Sequence, residues 1–263
     1  MVYLSRLMLN PRSRQVQRDL ADCQSLHQRV MAAFSPVPGG TEGARAAHGV
    51  LYRVEPPARS GGPLLLLVQS RAVPDWSSLP TGYLREDAGE DAGEDAGGRG
   101  NPETKRVDTA YGALRTGMRL MFRFRANPTK RLSTPTGADG QRPPGKRVEL
   151  FGEAKQIAWL AGKGEQSGFA LTRVRVRAGG PAVGGDGEVP NAWARPGGKV
   201  IGRRGSAPAG ESGSDAMRLT FGAVLFEGEL EVRDPERFRQ VLEHGVGPGK
   251  AYGFGLLSVA PSG

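Results

Sequence analysis

The sequence predicts an α+β protein built from two tandem ferredoxin-like (RRM-type) modules, each of β-α-β-β-α-β order. Three observations support this prediction. At 263 residues the chain is long enough for two small domains that each bury a core. Strand-like alternation and helix-like spacing follow one another along both halves. A low-complexity stretch separates the halves.

In the first half, residues 3–9 are typical of a strand, and Asp22 can cap a helix whose apolar residues recur every four positions. These apolar residues are Leu26, Val30 and Phe34. Further strands are predicted at 50–54 and 64–70, and a short helix near 76–83.

In the second half, residues 118–126 alternate between apolar side chains and arginines, as a half-buried strand does. A helix is predicted at 153–160 and a second alternating strand at 169–177. A hairpin, a capped helix and a last strand are predicted to follow. They are assigned to residues 219–226 turning at Glu227 and Gly228 into 230–232, then to 235–245 after the cap Asp234, and to 255–259.

These assignments place the first module at 1–85, an insertion and linker at 86–116, and the second module at 117–263. Three Glu-Asp-Ala-Gly repeats fill residues 86–97 and have no apolar face to bury, which predicts a disordered loop. Residues 178–215 are rich in Gly, Pro and Ser and carry basic side chains. They indicate an extended basic hairpin or a flexible loop.

The charge balance predicts a polyanionic partner. The chain carries 36 basic and 27 acidic residues, a net charge of +9, which becomes +15 without the six acidic residues of the repeat. No basic amphipathic helix, signal peptide or membrane-spanning run is found, so we expect a soluble, cytoplasmic protein that binds no membrane. One cysteine and three scattered histidines predict no disulfide, no metal site and no cofactor.

A glycine-rich segment near the C-terminus has five glycines around Lys250. Backbone without Cβ atoms can approach a phosphate closely, so Gly247, Gly249 and Lys250 are candidate phosphate contacts. A Walker loop would need Ser or Thr where Ala251 stands, and the dinucleotide motif would need glycine at Lys250 or Tyr252, so both are rejected. The alternative is a structural turn.

Alternating arginines on two predicted strands indicate a basic sheet face that suits the polyanionic partner. They are Arg119, Arg123 and Arg125 on one strand and Arg173, Arg175 and Arg177 on the other, extended by Lys130 and Arg131. Stacking aromatics are absent from this face, because the phenylalanines alternate onto the opposite, buried side. Duplex shape and phosphates would then dominate recognition. A solvated strand face is the alternative.

Five segments carry a resemblance to a known family. They are Tyr3-Leu-Ser-Arg-Leu with Arg18-Asp-Leu and Leu26-His27; Val73-Pro-Asp-Trp; Phe122-Arg-Phe-Arg-Ala-Asn-Pro-Thr-Lys-Arg131; Ala223-Val-Leu-Phe-Glu-Gly228; and Gly245-Val-Gly-Pro-Gly-Lys with Gly-Phe-Gly-Leu-Leu. Together they resemble CasE, the CRISPR RNA-processing endoribonuclease family of type I-E systems. The resemblance implies a tandem ferredoxin-like fold that binds the stem-loop of repeat RNA. It also implies metal-free cleavage at the 3′ base of the stem, with the product retained in the Cascade complex.

The resemblance also implies site residues. By position in the first helix, His27 matches the family's catalytic histidine. Three residues earlier the family carries a tyrosine, whereas this chain has Gln24, which can donate a hydrogen bond but cannot exchange a proton. Arg29 could steady the phosphate or be a solvated helix charge. Arg203 and Arg204 lie in the region of the family's groove-binding hairpin, with a solvated loop as the alternative.

The chemistry of RNA cleavage by its own 2′-hydroxyl requires a base, an acid and positive charge on the phosphorane. A histidine suits either proton transfer, although His27 could instead be a structural residue at the core margin. His48 and His244 are weaker candidates. We therefore predict a metal-independent endoribonuclease that leaves a 2′,3′-cyclic phosphate and a 5′-hydroxyl. The alternative, favoured by Gln24, is a catalytically inactive subunit that holds guide RNA. A metal-dependent nuclease is not predicted, because the sequence contains no Asp/Glu/His cluster of the kind that would hold its metal.

Overall fold

The computed structural model describes residues 1–38, 40–57, 62–86, 100–132, 145–176, 187–204 and 217–262. Residues 87–97 of the repeat, Arg177 and parts of 178–215 therefore lie outside the described residues, and the expectations for them stay predictions. Thirteen strands, six α-helices and two short 3-10 helices make up the elements of the described part of the chain.

The first module is a four-stranded antiparallel sheet with helices packed on it. Its elements are β1 (Tyr3–Leu9), α1 (Arg14–Ala21), α2 (Cys23–Met31), α3 (Gly40–Ala47), β2 (Leu51–Glu55), β3 (Leu64–Ser70), a 3-10 helix (Trp76–Ser78) and β4 (Glu103–Arg106). The strand order is β2-β3-β1-β4, the ferredoxin-like arrangement. Inward-facing residues of paired strands, such as Leu7 opposite Leu66, supply the core together with Val30 of α2.

Asp22 begins α2 as the sequence predicts. Its side chain accepts hydrogen bonds from the backbone N–H groups of Gln24 and Ser25, and so satisfies donors that the first turn leaves free. The helix ends at Met31, so Phe34 lies past it although it is buried in the same core. Helices α1 and α3 were not predicted, and the helix predicted near 76–83 is only the three-residue 3-10 helix.

The predicted linker is corrected by β4, which lies within residues 86–116 and pairs with β1 along the edge of the sheet. The chain then forms a short helix, α4 (Asp108–Gly112). The first sheet is therefore completed by residues beyond position 85. Four residues with little apolar content, lying at a sheet edge, have too weak a local pattern to be predicted as a strand.

The second module repeats the arrangement. Its elements are β5 (Arg119–Ala126), β6 (Thr129–Arg131), β7 (Arg147–Glu149), α5 (Glu153–Gln166), β8 (Phe169–Leu171), β9 (Arg173–Val176), β10 (Gly187–Pro190), β11 (Ala192–Arg204), β12 (Met217–Val232), α6 (Pro235–His244), a 3-10 helix (Lys250–Tyr252) and β13 (Leu257–Pro261). The central strands are ordered β8-β12-β5-β13, again ferredoxin-like, and β11 lies beside β8 along the edge of β12. The tandem ferredoxin-like prediction is confirmed.

The hairpin predicted at residues 219–232 is wrong, because β12 runs unbroken through Glu227 and Gly228. A Cβ on Gly228 would collide with the carbonyl oxygen of Asn191, so this glycine allows the segment at Asn191 to approach β12 closely. The long hairpin is instead formed by β11 and β12, with Arg204 opposite Met217. For the described residues, the hairpin alternative for 178–215 is thus confirmed.

The strand predicted at 169–177 is split at Thr172. This residue donates hydrogen bonds to Glu229, its N–H to the backbone carbonyl and its Oγ1 to the carboxylate, and the chain then leaves β12. Beyond it, β9 pairs only with β10 in a separate two-stranded sheet. Arg173 and Arg175 are therefore not on the main sheet, and Val174 opposite them is 40% exposed.

The two modules are joined by Arg53, which is 2% exposed. Its guanidinium donates to the backbone carbonyls of Arg123 and Leu256 at 2.9 and 2.8 Å and to Ser258 Oγ at 3.0 Å, and it pairs with Glu55 at 2.6 Å. Burial lowers the pKa of Arg53, while the Glu55 carboxylate opposes this shift. A buried cation with its donors satisfied fixes β2 of the first module against the sheet of the second.

Candidate functional site

His27 lies at the junction of the two modules and is 3% exposed. The ring of Tyr252, from the 3-10 helix of the second module, contacts its imidazole edge-on, with ring centroids 6.1 Å apart. Tyr252 in turn stacks on Phe221 of β12 with centroids 5.1 Å apart. The catalytic candidate of the first module therefore contacts the glycine-rich segment of the second.

The glycine-rich segment is a folded element of this junction. Its five glycines all have φ between +76° and +92°, a left-handed backbone that favours glycine. A Cβ on Gly249 would lie 2.9 Å from the Phe254 ring, and one on Gly253 would lie 3.2 Å from the Tyr52 ring. Tyr52 also donates a hydrogen bond to the Ala251 carbonyl at 2.8 Å. The structural-turn alternative accounts for most of these glycines, and phosphate contact by Gly247 and Gly249 stays a prediction.

Lys250 is half-buried between the modules and lines a cavity of about 140 Å³ together with Arg45 and His244. Desolvation lowers the pKa of the Lys250 ammonium, and the charge of Arg45 lowers it further. Within the described residues, Lys250 makes no ion pair. The same cavity is also lined by the acidic Glu243, and phosphate contact by Lys250 stays a prediction.

The start of α2 is covered by the β11–β12 hairpin. A Cβ on Gly202 would lie 2.6 Å from Cys23 Sγ and 3.1 Å from the Gln24 nitrogen, so a side chain at this position would require the turn to shift. Gln24 is half-buried here, and Arg203, next to Gly202 on the hairpin, is exposed. The structure thus brings the hairpin that carries Arg203 and Arg204 to the helix that carries His27.

Arg29 points to another cluster. Its Nε donates to Asp19 Oδ2 at 2.8 Å, its Nη2 reaches Gln15, and its guanidinium lies 5.4 Å from the centre of the Tyr83 ring. Tyr83 donates to the same carboxylate at 3.0 Å. Hydrogen bonding to Asp19 raises the pKa of Arg29. Arg29 therefore holds α1 against α2 and is not a solvated helix charge, and phosphate contact by Arg29 stays a prediction.

The arginines of β5 alternate with its buried apolar residues as predicted, but their surroundings differ. Arg119 is exposed. Arg123 pairs with Glu55 at 2.8 Å and with Glu227 at 2.7 Å, so its charge is neutralised at the junction. Arg125 is half-buried, with its guanidinium 5.3 Å from the centre of the Phe254 ring. The three do not form one open basic face.

The other basic candidates lie outside the junction. Lys130 and Arg131 are exposed on β6, which pairs only with β7. Arg173 and Arg175 are exposed on β9, each within 4.0 Å of the Glu188 carboxylate. Their contact with RNA stays a prediction.

Tyr252, Tyr52 and Cys23 were missed as candidates at this site. Burial is the main cause that raises the pKa of the Tyr52 phenol well above its usual range, with the neighbouring Cys23 and Tyr252 adding to the shift. Burial likewise raises the pKa of the Cys23 thiol to about 11, with Asp22 adding to the effect. The position of Tyr252 between five glycines was the available signal, because it is one of the two large aromatic side chains within this turn-forming stretch.

Neither a metal cluster nor a membrane helix is found in the part of the chain that the structure describes. No three His, Cys, Asp or Glu residues there could together hold a metal ion. No helix among these residues is long and apolar enough to cross a bilayer.

Comparison with known proteins gives consistent matches. The family model described as CRISPR associated protein matches residues 2–261. The CRISPR-associated endoribonuclease Cse3 of Thermus thermophilus is 36% identical over 260 residues, which cover 99% of this chain and all of that protein. The structure of Thermus thermophilus Cse3 bound to an RNA representing a pre-cleavage complex is 36% identical, with a TM-score of 0.64 and 99% of each chain covered. The Cascade subunit CasE of Escherichia coli K12 is 30% identical over 161 residues, covering 60% of this chain and 65% of that protein.

Proposed function

The chain belongs to the family of CRISPR associated proteins, and we propose that it is a metal-independent endoribonuclease that cuts precursor CRISPR RNA at the 3′ base of the repeat stem. The observation that carries this proposal is the place of His27, where the glycine-rich segment and the basic hairpin of one module meet helix α2 of the other. The full-length likeness to an endoribonuclease, and to its structure with a pre-cleavage RNA, supports the same activity.

The reaction is a transesterification within the RNA. The 2′-hydroxyl loses its proton and its oxygen attacks the adjacent phosphorus, while the bond from phosphorus to the 5′-oxygen breaks. The products are a 2′,3′-cyclic phosphate and a 5′-hydroxyl. His27 exchanges a proton with one of these two oxygens, a task that an imidazole performs near neutral pH. These steps need no metal or cofactor.

Recognition of the stem-loop rests on charge and shape. The basic candidates lie on several exposed strands. The β11–β12 hairpin carries two of them to the start of α2. The candidates are Arg119, Lys130, Arg131, Arg173, Arg175 and Arg203, with Arg204 next in the chain. Side chains of this kind contact phosphates along a duplex and make binding depend on salt. Lys250, with Gly247 and Gly249, meets a further phosphate at the junction.

Substrate access to His27 requires a local movement, because 3% exposure leaves no room for a ribose and its phosphate. The β11–β12 hairpin covers the N-terminal end of α2 through Gly202. We infer that the hairpin shifts when RNA binds, and that its return excludes water from the reacting atoms.

After cleavage the protein stays bound to the mature RNA as a Cascade subunit. The likeness to the Cascade subunit CasE supports this assignment. A cytoplasmic location belongs to the same proposal.

The decisive test is incubation of the protein with its repeat RNA in the presence of a chelator, followed by end-group analysis. We expect one cut at the 3′ base of the stem, a cyclic phosphate on one product and a 5′-hydroxyl on the other. A substrate with a 2′-deoxy nucleotide at the cleavage position should bind with nearly unchanged affinity and remain intact. Cleavage of the deoxy substrate, or a requirement for added Mg²⁺, contradicts the mechanism.

A catalytically inactive RNA-binding subunit is the second candidate. The observation that favours it is Gln24, which lies at the start of α2 and cannot exchange a proton. The same incubation separates the two functions, because the inactive subunit would bind the repeat tightly and leave it uncut.

A further inference from the structure

Arg125 differs from the other arginines on its strand. Arg119 is exposed to solvent, and Arg123 forms ion pairs with Glu55 and Glu227. Arg125 lies on the same face as both, but it is half-buried at the module junction. Three arginines on one face of β5 thus have three different surroundings.

The guanidinium of Arg125 makes no hydrogen bond or ion pair with any residue that the structure describes. The guanidinium lies over the Phe254 ring, with Cζ 5.3 Å from the ring centre. Such stacking orients the planar group without using its N–H donors. Glu55 acts on it only at longer range, since that carboxylate is bonded to Arg53 and Arg123.

Burial lowers the pKa of Arg125, with Tyr52 and Glu55 opposing the shift. The Arg125 nitrogens are not among the fully buried polar atoms that lack a partner, so its N–H donors still reach solvent, where a ligand can supply acceptors. Such an arrangement is stabilised when a ligand supplies the missing acceptors.

The guanidinium stands next to the segment that contacts His27. A Cβ on Gly253 would lie 3.7 Å from Arg125 Nη1 and 3.2 Å from the Tyr52 ring, so glycine keeps this space open. Gly253 directly follows Tyr252, the residue whose ring contacts His27. The two side chains therefore flank one short stretch of backbone.

We propose that Arg125 binds a phosphodiester of the RNA at the module junction and supplies the positive charge that the cleavage chemistry requires beside His27. This inference rests on the proposed function. A guanidinium presents paired N–H donors to the two non-bridging oxygens of a phosphate, where negative charge accumulates as the 2′-oxygen bonds to phosphorus. Arg29 and Arg123 cannot take this role without breaking their ion pairs.

The first test measures binding of inorganic phosphate without any reaction. Thermal unfolding is followed for the wild type, Arg125→Gln and the control Arg233→Gln, in phosphate and in chloride of equal ionic strength. Arg233 is an exposed arginine after β12 that pairs with Glu231 and has no part in the proposed RNA contacts. We expect phosphate to raise the unfolding midpoint of the wild type and of Arg233→Gln but not that of Arg125→Gln. An equal rise in Arg125→Gln, or no rise in the wild type, overturns the site.

The second test measures single-turnover cleavage and RNA affinity separately. For Arg125→Gln we expect a rate about a hundredfold below that of the wild type, with affinity within about threefold, because the contact matters most in the transition state. The control Arg233→Gln should cleave within about twofold of the wild-type rate. Cleavage by Arg125→Gln at the wild-type rate contradicts the proposal.

Arg125→Lys keeps the charge and most of the stem, so it serves if the glutamine variant does not fold. Because lysine does not donate in a fixed pair, we expect it to recover only part of the rate, to about tenfold below the wild type. Full recovery would mean that any cation suffices, and no recovery with an intact fold would mean that Arg125 acts through packing. Both results contradict the paired contact. If the wild type cuts no RNA, the proposed function fails, and the phosphate titration still decides whether Arg125 forms the site.

Discussion

Tyr252 and His27 meet across the two modules with ring centroids 6.1 Å apart and planes inclined by 66°. This is the edge-to-face arrangement that aromatic pairs prefer, and it restricts the orientation of the imidazole. The left-handed glycines on either side of the 3-10 helix, Gly249 and Gly253, turn the chain so that the ring reaches this position. The glycine-rich segment thus contributes to the site through one aromatic side chain.

The contact between Tyr252 and His27 can be tested by comparing two substitutions at Tyr252. Tyr252→Phe keeps the ring and should cleave within about threefold of the wild-type rate, whereas Tyr252→Leu should be about tenfold slower, since aromatic pairs are worth about 0.5–1.5 kcal/mol. Single-turnover kinetics on repeat RNA give both rates. A phenylalanine variant as slow as the leucine variant would show that the hydroxyl, and not the ring contact, is what matters.

Substitution of His27 tests the proton transfer. Because His27 is the histidine whose ring contacts Tyr252 of the glycine-rich segment, His27→Ala should cleave at least about a hundredfold more slowly and still bind RNA. His48→Ala is the control, since its ring bonds to the Ser35 carbonyl and stacks on Phe34 of the first module's core. Near-normal cleavage by His27→Ala would remove His27 from the mechanism.

Two glycines of the C-terminal segment should differ in their effect on stability. Both have φ near +80°, which costs an alanine about 1–2 kcal/mol. A Cβ on Gly247 meets the Trp159 ring at 3.4 Å, an ordinary contact, whereas one on Gly249 meets Phe254 at 2.9 Å. Gly249→Ala should therefore lower the unfolding midpoint by several degrees more than Gly247→Ala does. Equal midpoints in a calorimetric scan would rule out the crowding at Phe254.

The inferred movement of the β11–β12 hairpin can be blocked with a disulfide. A Cβ at position 202 would lie 2.6 Å from Cys23 Sγ, so a small shift of the strand brings a cysteine there within disulfide reach of Cys23. Oxidised Gly202→Cys should cleave RNA at least about tenfold more slowly than the same variant after reduction, because the hairpin is then tied to α2. Gly202→Cys combined with Cys23→Ser is the control and should not respond to oxidant. Equal rates in both redox states would show that the hairpin need not move.

The Cys23 thiol gives a pH prediction. Burial, with Asp22, raises its pKa from the ordinary value of 9.0 to about 11. The folded pKa is above the unfolded one, so the contribution of this group to stability is complete below pH 9 and is lost as the pH rises towards 11. Alkylation of this single cysteine should accordingly stay slow at pH 8 and accelerate towards pH 11 in the folded protein. A rate at pH 8 equal to that of the unfolded chain would contradict the shift.

Local signals in the sequence were sufficient for several elements. Asp22 and Asp234 begin helices α2 and α6, because a cap depends only on the two or three residues that follow it. Gly245 ends α6 with a φ of 76°, and the alternation of β5 places Phe122 and Phe124 in the core. The order of these elements, with the basic composition, was enough for the tandem fold and a polyanionic partner.

Other features depended on contacts between distant residues. Glu227 and Gly228 looked like a turn, yet β12 is continuous because Gly228 is needed where the chain at Asn191 passes close by. Arg123 and Arg125 belong to the same alternating pattern and lie on the same face of β5. The approach of β2 gives Arg123 the Glu55 carboxylate and leaves Arg125 without an acceptor among the described residues.

The residues at the junction could be found one by one in the sequence, but not as a site. His27 lies near one end of the chain and Tyr252 near the other. Each module buries its own hydrophobic core, so neither core depends on the contact between these two rings. The sequence by itself determined the modules, since periodicity and capping act over a few residues. Only the docking of the modules, held by the buried Arg53, decided which side chains meet at His27, because that contact depends on the shape of two finished surfaces.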